Sequence, residues 1–215
     1  ILKKCIKIIS TLLLLSQINL VSVKADVFDD DNDMLIIENE IFNEMEVSDS
    51  KISKLRVNAR NAIAIDSTTN QVLYEQNARE IVPMASTTKI LTALLALSHG
   101  DLDREVTISK NAASIRGSKV GFKAGEVVTL HELLFGLMFK SGNDAAIAIA
   151  EELGGSIEGY AKKMNDFATS LGLLDSHFES PHGLDSAKHY TTAYDLAILT
   201  TTALKNDQFS EIYWE

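Results

Sequence analysis

Two apolar runs separated by a polar turn, in the first half of the chain, predict the first regular structure. In the segment NAIAIDSTTNQVLYEQN an apolar run is followed by a polar turn at Ser67 to Asn70 and then by a second apolar run, VLY. Short runs rich in β-branched and aromatic residues on either side of a polar turn are typical of paired strands. We therefore predict a strand hairpin here.

The segment from Ala85 to Ser98, ASTTKILTALLALS, has a different pattern, in which nearly every position is small or apolar. A helix that is apolar on all sides is buried inside a protein, and Gly100 supplies a stop signal just beyond it. We therefore predict a buried helix. Between Glu105 and Val128 we predict short irregular strands and turns, because glycines at positions 117, 121 and 125 interrupt that stretch.

Further helices are predicted from the polar residues that can cap their first turns. The first of these helices has a capping box of Thr129 and Glu132, and the second has Asn143 as its cap and stops at Gly154-Gly155. The third runs from its cap Ser156 to about Ser170, and the last begins at Thr192 and Asp195 and runs to about Leu204. The predicted architecture is a strand hairpin followed by a mostly helical body. This is the α/β or α+β class, and we expect the strand set to be incomplete.

The first 25 residues, ILKKCIKIISTLLLLSQINLVSVKA, differ from this body. Basic residues come first, an apolar run follows and small residues end the segment, which is the order of a secretory signal peptide. A membrane anchor is the alternative, but polar residues interrupt a run already shorter than the ~20 apolar residues that a span needs. We therefore predict a signal peptide over residues 1–25 and an extracytoplasmic protein, either secreted or associated with the cell wall or membrane.

Residues 26–50 carry ten acidic residues and no basic residue. Such a stretch repels itself, so we predict an acidic flexible lead-in, followed by a packed domain over residues 51–215. The net charge of −10 at pH 7 argues against nucleic acid as a partner, because phosphate binding needs a basic face. Cys5 is the only cysteine, so the chain without its signal peptide has no disulfide and no thiolate metal site.

Candidate chemistry begins at the head of the buried helix with Ser86 and Lys89. Residues at this spacing share one face of a helix, so Ser86 Oγ and Lys89 Nζ can approach each other. A serine hydroxyl becomes a nucleophile when a base takes its proton, and lysine can be that base when burial lowers its pKa. Backbone N–H groups at the helix N-terminus would help to hold a developing oxyanion.

The spacing alone is weak evidence, because Ser48 and Lys51 repeat it in the acidic lead-in. The structural alternative is an N-cap serine followed by a lysine that reaches solvent. A second candidate segment, FKSGNDAA, places Ser141 and Asn143 on a tight turn between two predicted helices. The alternative for this segment is an ordinary turn that caps a helix.

Together these segments resemble the serine-x-x-lysine and serine-x-asparagine motifs of the penicillin-binding D-alanyl-D-alanine carboxypeptidases and serine β-lactamases. Three longer stretches are similar to the carboxypeptidase branch: IVPMASTTKILTAL, LLFGLMFKSGNDAAIAIAE and SPHGLDSAKHYTTAYDLAIL. The resemblance covers about Val57 to the end of the chain. It implies a penicillin-binding/β-lactamase-like domain in which a helical body packs on an antiparallel sheet.

The resemblance also implies a role for each candidate residue. Ser86 would be the acylated nucleophile and Lys89 its general base. Ser141 would relay a proton to the leaving D-alanine, and Asn143 would hydrogen-bond Lys89 and the backbone amide of the substrate. The implied protein is a secreted serine D,D-carboxypeptidase that trims peptidoglycan stem peptides ending in D-Ala-D-Ala, with β-lactam antibiotics as inhibitors. Side chains supply every reacting group, so no cofactor is expected.

Three histidines, His177, His182 and His189, raise the alternative of a zinc site. No pair of them has the i, i+4 spacing of a helical two-histidine site, and Pro181 and Gly183 indicate a loop. A metallopeptidase is therefore not expected, and no metal site is predicted. The resemblance makes this loop a wall of the active-site cleft, with His182 in a structural role.

One part of the family pattern is absent from the sequence. The third motif, lysine-threonine-glycine, lies on a strand beside the nucleophile and supplies a cation and an oxyanion N–H, and no such tripeptide occurs here. The chain starts with isoleucine and stops at Glu215, before that strand is expected, so we expect a catalytic domain that is incomplete at its C-terminal end. We also expect these 215 residues to be inactive and poorly folded on their own. The C-terminal β domain and amphipathic anchor that the family often carries are not seen, so membrane attachment stays open.

Two other functions stay open. A serine β-lactamase shares the first two motifs but needs efficient deacylation, usually through a glutamate on a later loop, and Glu179 lies in about that region. The residues that follow Glu179, SPHGLD, favour the carboxypeptidase branch. A non-catalytic cell-wall-binding or scaffold homologue is the alternative from a different class. The absent third motif favours it, and the four candidate residues argue against it.

Overall fold

The structure is a computed structural model, and it describes residues 57–184 and 186–214. These residues belong to one compact unit. The predicted signal peptide and the acidic lead-in lie outside the described residues.

The predicted hairpin is formed by β1 (Ala62–Ile65) and β2 (Val72–Gln76), which pair antiparallel. The carboxylate of Asp66 holds the turn, because it accepts hydrogen bonds from the backbone N–H groups of the two threonines that follow the serine. Asn70 closes the turn with φ of 59°, a left-handed conformation that asparagine tolerates better than most residues. The prediction from the apolar pattern is confirmed.

The predicted buried helix is a short 3₁₀ turn, Ala85–Thr87, that continues into α1 (Thr88–Leu97). Every residue of α1 except Ile90 is buried, as its apolar pattern predicts. Ser86 therefore lies in the tighter turn just before the α-helix. Helices often begin with such a turn, and sequence patterns do not distinguish it from the helix itself.

The glycine-rich stretch contains β3 (Glu105–Thr107) and β4 (Val127–Thr129), which pair antiparallel as a second small sheet. Between them lies α2 (Lys110–Ser114), a short helix that the sequence analysis missed. Ser109 caps α2, since its side chain accepts the N–H of Ala112 at 2.9 Å. A helix of five residues is too short for a periodic apolar signal, so this cap was the one usable sign of it.

The rest of the described chain is mostly helical. Its helices are α3 (Leu130–Phe139), α4 (Asn143–Gly154), α5 (Ile157–Ser170), α6 (Ala193–Leu204) and α7 (Asp207–Trp214). The capping box of Thr129 and Glu132 is confirmed, as are the caps Ser156 and Thr192. The sequence analysis ended the last helix at about Leu204 and missed α7, which is again short.

The prediction that Asn143 caps α4 is wrong. Gly142 is the N-cap residue and makes no side-chain cap, and Asn143 is the first residue of the helix. The side-chain amide of Asn143 donates instead to the carbonyl oxygen of Arg116 at 2.8 Å, so it is turned away from the free N–H groups of the helix. The predicted stop is confirmed, because α4 ends at Gly154 and Gly155 follows with φ of 72°.

The buried helix α1 is the centre of the packing. It contacts α3, α4, α5, α6 and α7, while the hairpin packs on α6 through β1. A polar side chain on α1 is therefore surrounded by other helices, and this is what removes Lys89 from water. Within the described residues, no helix combines the length and the apolar character that crossing a membrane demands.

Candidate active site

Ser86 and Lys89 are in direct contact where the 3₁₀ turn meets α1. Lys89 Nζ donates one hydrogen bond to Ser86 Oγ at 3.1 Å and another to the carbonyl oxygen of His182 at 2.8 Å. Lys89 is 3% exposed, whereas Ser86 is exposed. The alternative in which the lysine reaches solvent is therefore wrong. The arrangement offers an accessible hydroxyl beside an amine that is shielded from water.

The environment of Lys89 changes its acidity. Burial lowers the pKa of Lys89 from 10.5 to about 8, because the charged ammonium loses hydration in the packed interior. A lysine with this pKa is neutral in a useful fraction of molecules near pH 7 to 8, and a neutral amine can accept the proton of a hydroxyl. The pair can therefore generate a nucleophile.

Two non-glycine residues next to the candidate groups have a left-handed backbone. Ala85, directly before Ser86, has φ of 46°, and Ser141 has φ of 51°. A residue with a side chain in this region costs about 1 to 2 kcal/mol, so the surroundings must hold it there. Strain of this kind is common at functional sites, where it fixes the direction of a side chain.

The loop that carries His182 presses on the strained turn. A Cβ added at Gly183 would stand 1.8 Å from the carbonyl oxygen of Ala85 and 2.7 Å from Thr88 Oγ1. Gly183 also has φ of 82°, which glycine adopts freely. The absence of a side chain at Gly183 therefore lets the loop lie directly against the backbone that precedes Ser86.

The imidazole of His182 is neutral at pH 7. Burial lowers its pKa to about 4, and electrostatic interactions with Lys89 and His189 lower this pKa further. Its Nδ1 accepts the backbone N–H of Leu184 at 3.0 Å, which tightens the loop. His182 thus touches the Ser86–Lys89 pair through its backbone carbonyl, and its ring braces the loop.

Asn143 makes a different hydrogen bond from the one predicted. Its amide nitrogen donates to the carbonyl oxygen of Arg116, while both Lys89 hydrogen bonds in the described structure go to Ser86 and His182. The predicted hydrogen bond between Asn143 and Lys89 is therefore not formed. The nearby backbone carbonyl already satisfies the buried amide, which a sequence without a fold cannot reveal.

The segment around Gly117 connects the two candidate motifs. A Cβ added at Gly117 would stand 2.6 Å from Asn143 Nδ2 and 4.0 Å from a methyl carbon of Leu184. Leu184 directly follows Gly183, which lies against Ala85. Three segments therefore meet beside the turn that holds Ser86: the loop after Arg116, the start of α4 and the loop that carries His182.

Ser141 lies in the turn between α3 and α4 and is partly buried. Within the described residues no hydrogen bond joins it to Ser86 or Lys89. The structure therefore brings together two of the four predicted residues by direct contact, and it places Ser141 and Asn143 at the start of α4, a helix that contacts α1.

Asp144 is a site residue that the sequence analysis missed. Its buried carboxylate accepts hydrogen bonds from three consecutive backbone N–H groups, those of Val120, Gly121 and Phe122, at 3.0, 2.8 and 3.3 Å. It fixes the loop that also meets Asn143. The available signal was an acidic residue in the first helical turn, where negative charge is favoured, but surface residues commonly give the same signal.

The histidines do not form a metal centre in this part of the molecule. Across residues 57–184 and 186–214, no group of three or more His, Cys, Asp or Glu side chains is arranged to hold a metal ion. The ring nitrogen Nδ1 of His177 instead contacts the carbonyl oxygen of Lys188, and Nε2 of His189 contacts Thr88 Oγ1.

In this site a hydroxyl is hydrogen-bonded to a buried amine at the head of a helix, and a serine and an asparagine lie at the start of a neighbouring helix. This is the arrangement of the serine–lysine acyl-transfer proteins. The comparison with known families is more specific. Residues 46–214 match the family described as D-alanyl-D-alanine carboxypeptidase. The chain belongs to this family, and the family predicted from the motifs is confirmed.

Curated relatives agree with this assignment. The chain is 40% identical over 166 residues to D-alanyl-D-alanine carboxypeptidase DacF of Bacillus subtilis (strain 168), which covers 75% of this chain and 43% of DacF. It is 38% identical over 154 residues to D-alanyl-D-alanine carboxypeptidase DacC of Escherichia coli (strain K12), which covers 66% of this chain and 38% of DacC. The chain thus spans about two fifths of the length of these relatives.

Solved structures confirm the predicted fold class. The chain superposes on D-alanyl-D-alanine carboxypeptidase DacD from Francisella tularensis with a TM-score of 0.71 and 34% identity, covering 74% of this chain and 40% of that one. For the D-alanyl-D-alanine carboxypeptidase from Mycobacterium tuberculosis H37Rv the TM-score is 0.70 at 35% identity, covering 73% and 60%. Penicillin binding protein 6B from Escherichia coli gives 0.70 at 31%, covering 76% and 56%. The fold is that of the penicillin-binding proteins.

Proposed function

We propose that the protein containing this chain is a serine D,D-carboxypeptidase that removes the terminal D-alanine from peptidoglycan stem peptides. The observation that carries the proposal is the 3.1 Å hydrogen bond from the buried amine of Lys89 to the exposed hydroxyl of Ser86. Membership of the D-alanyl-D-alanine carboxypeptidase family supports the choice of substrate. Because the chain spans about two fifths of its curated relatives, the proposal concerns the whole protein.

The reaction begins with proton transfer from Ser86 Oγ to neutral Lys89 Nζ. The oxygen attacks the carbonyl carbon of the bond between the last two D-alanines and forms a tetrahedral oxyanion. When this intermediate collapses, the C–N bond breaks, the leaving amine takes a proton by way of Ser141, and an ester on Ser86 remains. Water then hydrolyses the ester, which releases the shortened peptide and restores the hydroxyl and the amine.

β-Lactam antibiotics would enter the same reaction. Attack of Ser86 on the β-lactam carbonyl opens the ring and leaves an ester on the serine, as with the peptide. The leaving nitrogen stays tethered to this ester, so it blocks the approach of water where a free D-alanine would depart. The likeness to penicillin binding protein 6B supports this inhibitor class.

We place the protein on the extracytoplasmic side of the membrane. The support is the order of basic, apolar and small residues over positions 1–25, which is that of a secretory signal peptide, and the external location of peptidoglycan. N-terminal sequencing of the exported protein is expected to begin at Asp26. An exported protein that retains residues 1–25 would contradict cleavage and favour a membrane anchor.

The proposal is tested by measuring intact mass after incubation of the full-length mature protein with benzylpenicillin, beside Ser86→Ala. We expect a mass increase of one penicillin that the variant does not show, and release of D-alanine from a peptide ending in D-Ala-D-Ala. A folded protein without an adduct would overturn the proposal and favour a non-catalytic wall-binding homologue. Hydrolysis of penicillin at many turnovers per second would favour a β-lactamase.

The position of Glu179 argues against the β-lactamase. Its carboxylate accepts the hydroxyl proton of Ser186, and its backbone N–H donates to His189 Nδ1 at 3.0 Å. A glutamate that activates water for deacylation needs a carboxylate free to hold that water beside the ester. Glu179 is instead engaged within its own loop.

A further inference from the structure

We propose that His189 is a positioning residue for Ser86 and acts through Thr88 and the carbonyl group of Ala85. The inference rests on the proposed function, because it assigns a role in forming the Ser86 ester. In the sequence, His189 is one of the three histidines that raise the alternative of a zinc site. Its surroundings show a different use.

A chain of hydrogen bonds leads from His189 to the residue before the nucleophile. His189 Nε2 lies 2.7 Å from Thr88 Oγ1, and Thr88 Oγ1 donates to the carbonyl oxygen of Ala85 at 2.8 Å. On the far side of the ring, His189 Nδ1 accepts the backbone N–H of Glu179 at 3.0 Å. His189 and Thr88 are 2% and 0% exposed, so water does not compete with these bonds.

The direction of the hydrogen bonds follows from the groups at either end. The backbone N–H of Glu179 can only donate, so His189 Nδ1 is the acceptor and the ring proton is on Nε2. The carbonyl of Ala85 can only accept, so the hydroxyl proton of Thr88 points to it and Thr88 Oγ1 accepts from Nε2. Every donor thus has one acceptor, and the arrangement is directional.

This chain of hydrogen bonds ends at Ala85, the strained first residue of the 3₁₀ turn Ala85–Thr87, which we call the nucleophile turn. Ala85 has φ of 46°, and its carbonyl oxygen also accepts the backbone N–H of Thr88. Two hydrogen bonds to one carbonyl and the contact with Gly183 hold a peptide that would otherwise relax to a right-handed conformation. Because the next residue is Ser86, a rotation of this peptide would move Ser86 Oγ away from Lys89 Nζ.

The segment that carries His189 is itself fixed to the chain before the turn. Val82 and Thr191 exchange backbone hydrogen bonds of 2.8 and 3.0 Å. The ring of His189 also meets Phe178 edge-on, with ring centroids 5.9 Å apart. The imidazole therefore has a fixed position from which its Nε2–H can set the orientation of Thr88.

Two substitutions at His189 distinguish the effect of losing the hydrogen bond to Thr88 from the effect of losing the imidazole ring. The amide nitrogen of glutamine can take the place of Nε2, whereas asparagine reaches only the position of Nδ1. In the full-length protein we expect His189→Gln to acylate with benzylpenicillin within about threefold of the unsubstituted rate. We expect His189→Asn to lower the rate constant at saturating penicillin about tenfold, the value of one good hydrogen bond, with the half-saturation concentration little changed.

Thr88 supplies the test of the route. Thr88→Ser keeps the hydroxyl and should acylate like the unsubstituted protein, whereas Thr88→Val removes it and should be about as slow as His189→Asn. The double variant Thr88→Val with His189→Asn should be no slower than Thr88→Val alone, because both changes break the same chain. His99→Asn, at an exposed histidine, is the control and should leave acylation unchanged.

Equal losses in His189→Gln and His189→Asn, no loss in either, or additive losses in the double variant would overturn the positioning role. If His189→Asn does not fold, the comparison of Thr88→Ser with Thr88→Val decides, and equal rates would overturn it. Failure of the unsubstituted protein to form any adduct would instead overturn the proposed function, and with it this inference. The two failures are therefore distinguishable.

Discussion

Lys89 Nζ donates a hydrogen bond to Ser86 Oγ at 3.1 Å, and of these two residues only the serine is exposed. The pair therefore separates two requirements. The attacking oxygen must be open to a substrate, while the base must be removed from water so that its pKa falls. Lys89 lies one turn after Ser86, at the start of a helix that is covered by other helices, and this position meets the second requirement without closing the first.

The lowered pKa of Lys89 predicts the pH dependence of acylation. Only the neutral amine can take the proton of Ser86, and the pKa of Lys89 is about 8, so the acylation rate is expected to rise about tenfold per pH unit below pH 8 and to level off above it. Penicillin acylation of the full-length protein measured from pH 6 to 10 checks this. A rate still rising steeply at pH 10, or flat from pH 6, would contradict the assignment of Lys89 as the base.

A matched variant isolates the role of the amine. Lys89→Arg keeps a cation at this position but has no accessible neutral form, so we expect acylation to fall by at least about 100-fold at every pH. Fluorescence or circular dichroism should show that the variant still folds. A folded Lys89→Arg protein that acylates normally would exclude Lys89 as the general base.

Because Gly183 is closely packed, we expect the small change Gly183→Ala to lower the stability of the fold strongly. Gly183→Ala would place a Cβ 1.8 Å from the carbonyl oxygen of Ala85, in addition to the strain of a side chain at φ of 82°. We expect it to lower the free energy of unfolding by about 3 kcal/mol or more and to slow acylation, because the nucleophile turn must move.

Gly100→Ala is the control for backbone strain alone. Gly100 has φ of 77° but nothing within 4 Å of an added Cβ, so about 1 kcal/mol of destabilisation and normal acylation are expected. Thermal or denaturant unfolding of both variants measures the difference. Similar losses of stability in the two variants would show that the contact between Gly183 and Ala85 has little energetic weight.

The sequence predicted those parts of the fold whose signals are local. The hairpin, the apolar helix α1 and the caps Ser156 and Thr192 depend on neighbouring residues and on apolar periodicity, and all are confirmed. The short helices α2 and α7 were missed because neither is long enough to show a period. The pairing of β3 with β4 joins segments twenty residues apart and has no local signal.

The candidate site was predictable to a similar degree. The contact of Ser86 with Lys89 follows from helical spacing, so the sequence could predict it. The bonds of Asn143 to Arg116, of Lys89 to the carbonyl of His182, and of His189 to Thr88 all join distant parts of the chain. No spacing rule gives such contacts, and the resemblance to a family supplied residue roles without these partners.

The conformation of the loop at residues 120–122 is expected to depend on one side chain, the carboxylate of Asp144. Its oxygens accept the backbone N–H groups of three consecutive residues, Val120 to Phe122, and removal of the carboxylate would leave these groups without acceptors. We expect Asp144→Ala to lower the free energy of unfolding by about 2 to 4 kcal/mol and to speed amide hydrogen exchange at these residues. Exchange followed by mass spectrometry measures the loop directly.

Asp166→Ala is the control, because Asp166 is an exposed partner of Lys162 on α5 and its loss should change stability by no more than about 0.5 kcal/mol. Asp144→Asn keeps one acceptor oxygen and should fall between Asp144→Ala and the unsubstituted protein. Unchanged exchange at residues 120–122 in Asp144→Ala would show that the loop is held by other contacts.

The buried ring of His182 predicts a loss of stability in mild acid. Its pKa is about 4 in the folded protein against 6.5 for an exposed histidine, so between these values the unfolded chain binds the proton more readily than the folded one. The free energy of unfolding therefore falls as the pH falls from 6.5 to 4, by on the order of 2 to 3 kcal/mol from this ring.

His182→Asn has no titrating group, and its side-chain oxygen can still accept the N–H of Leu184. We expect it to lose less stability over this range than the unsubstituted protein, while His99→Asn at an exposed histidine should follow the unsubstituted protein. Parallel curves for His182→Asn and the unsubstituted protein, measured by urea unfolding at each pH, would contradict the burial of a neutral His182.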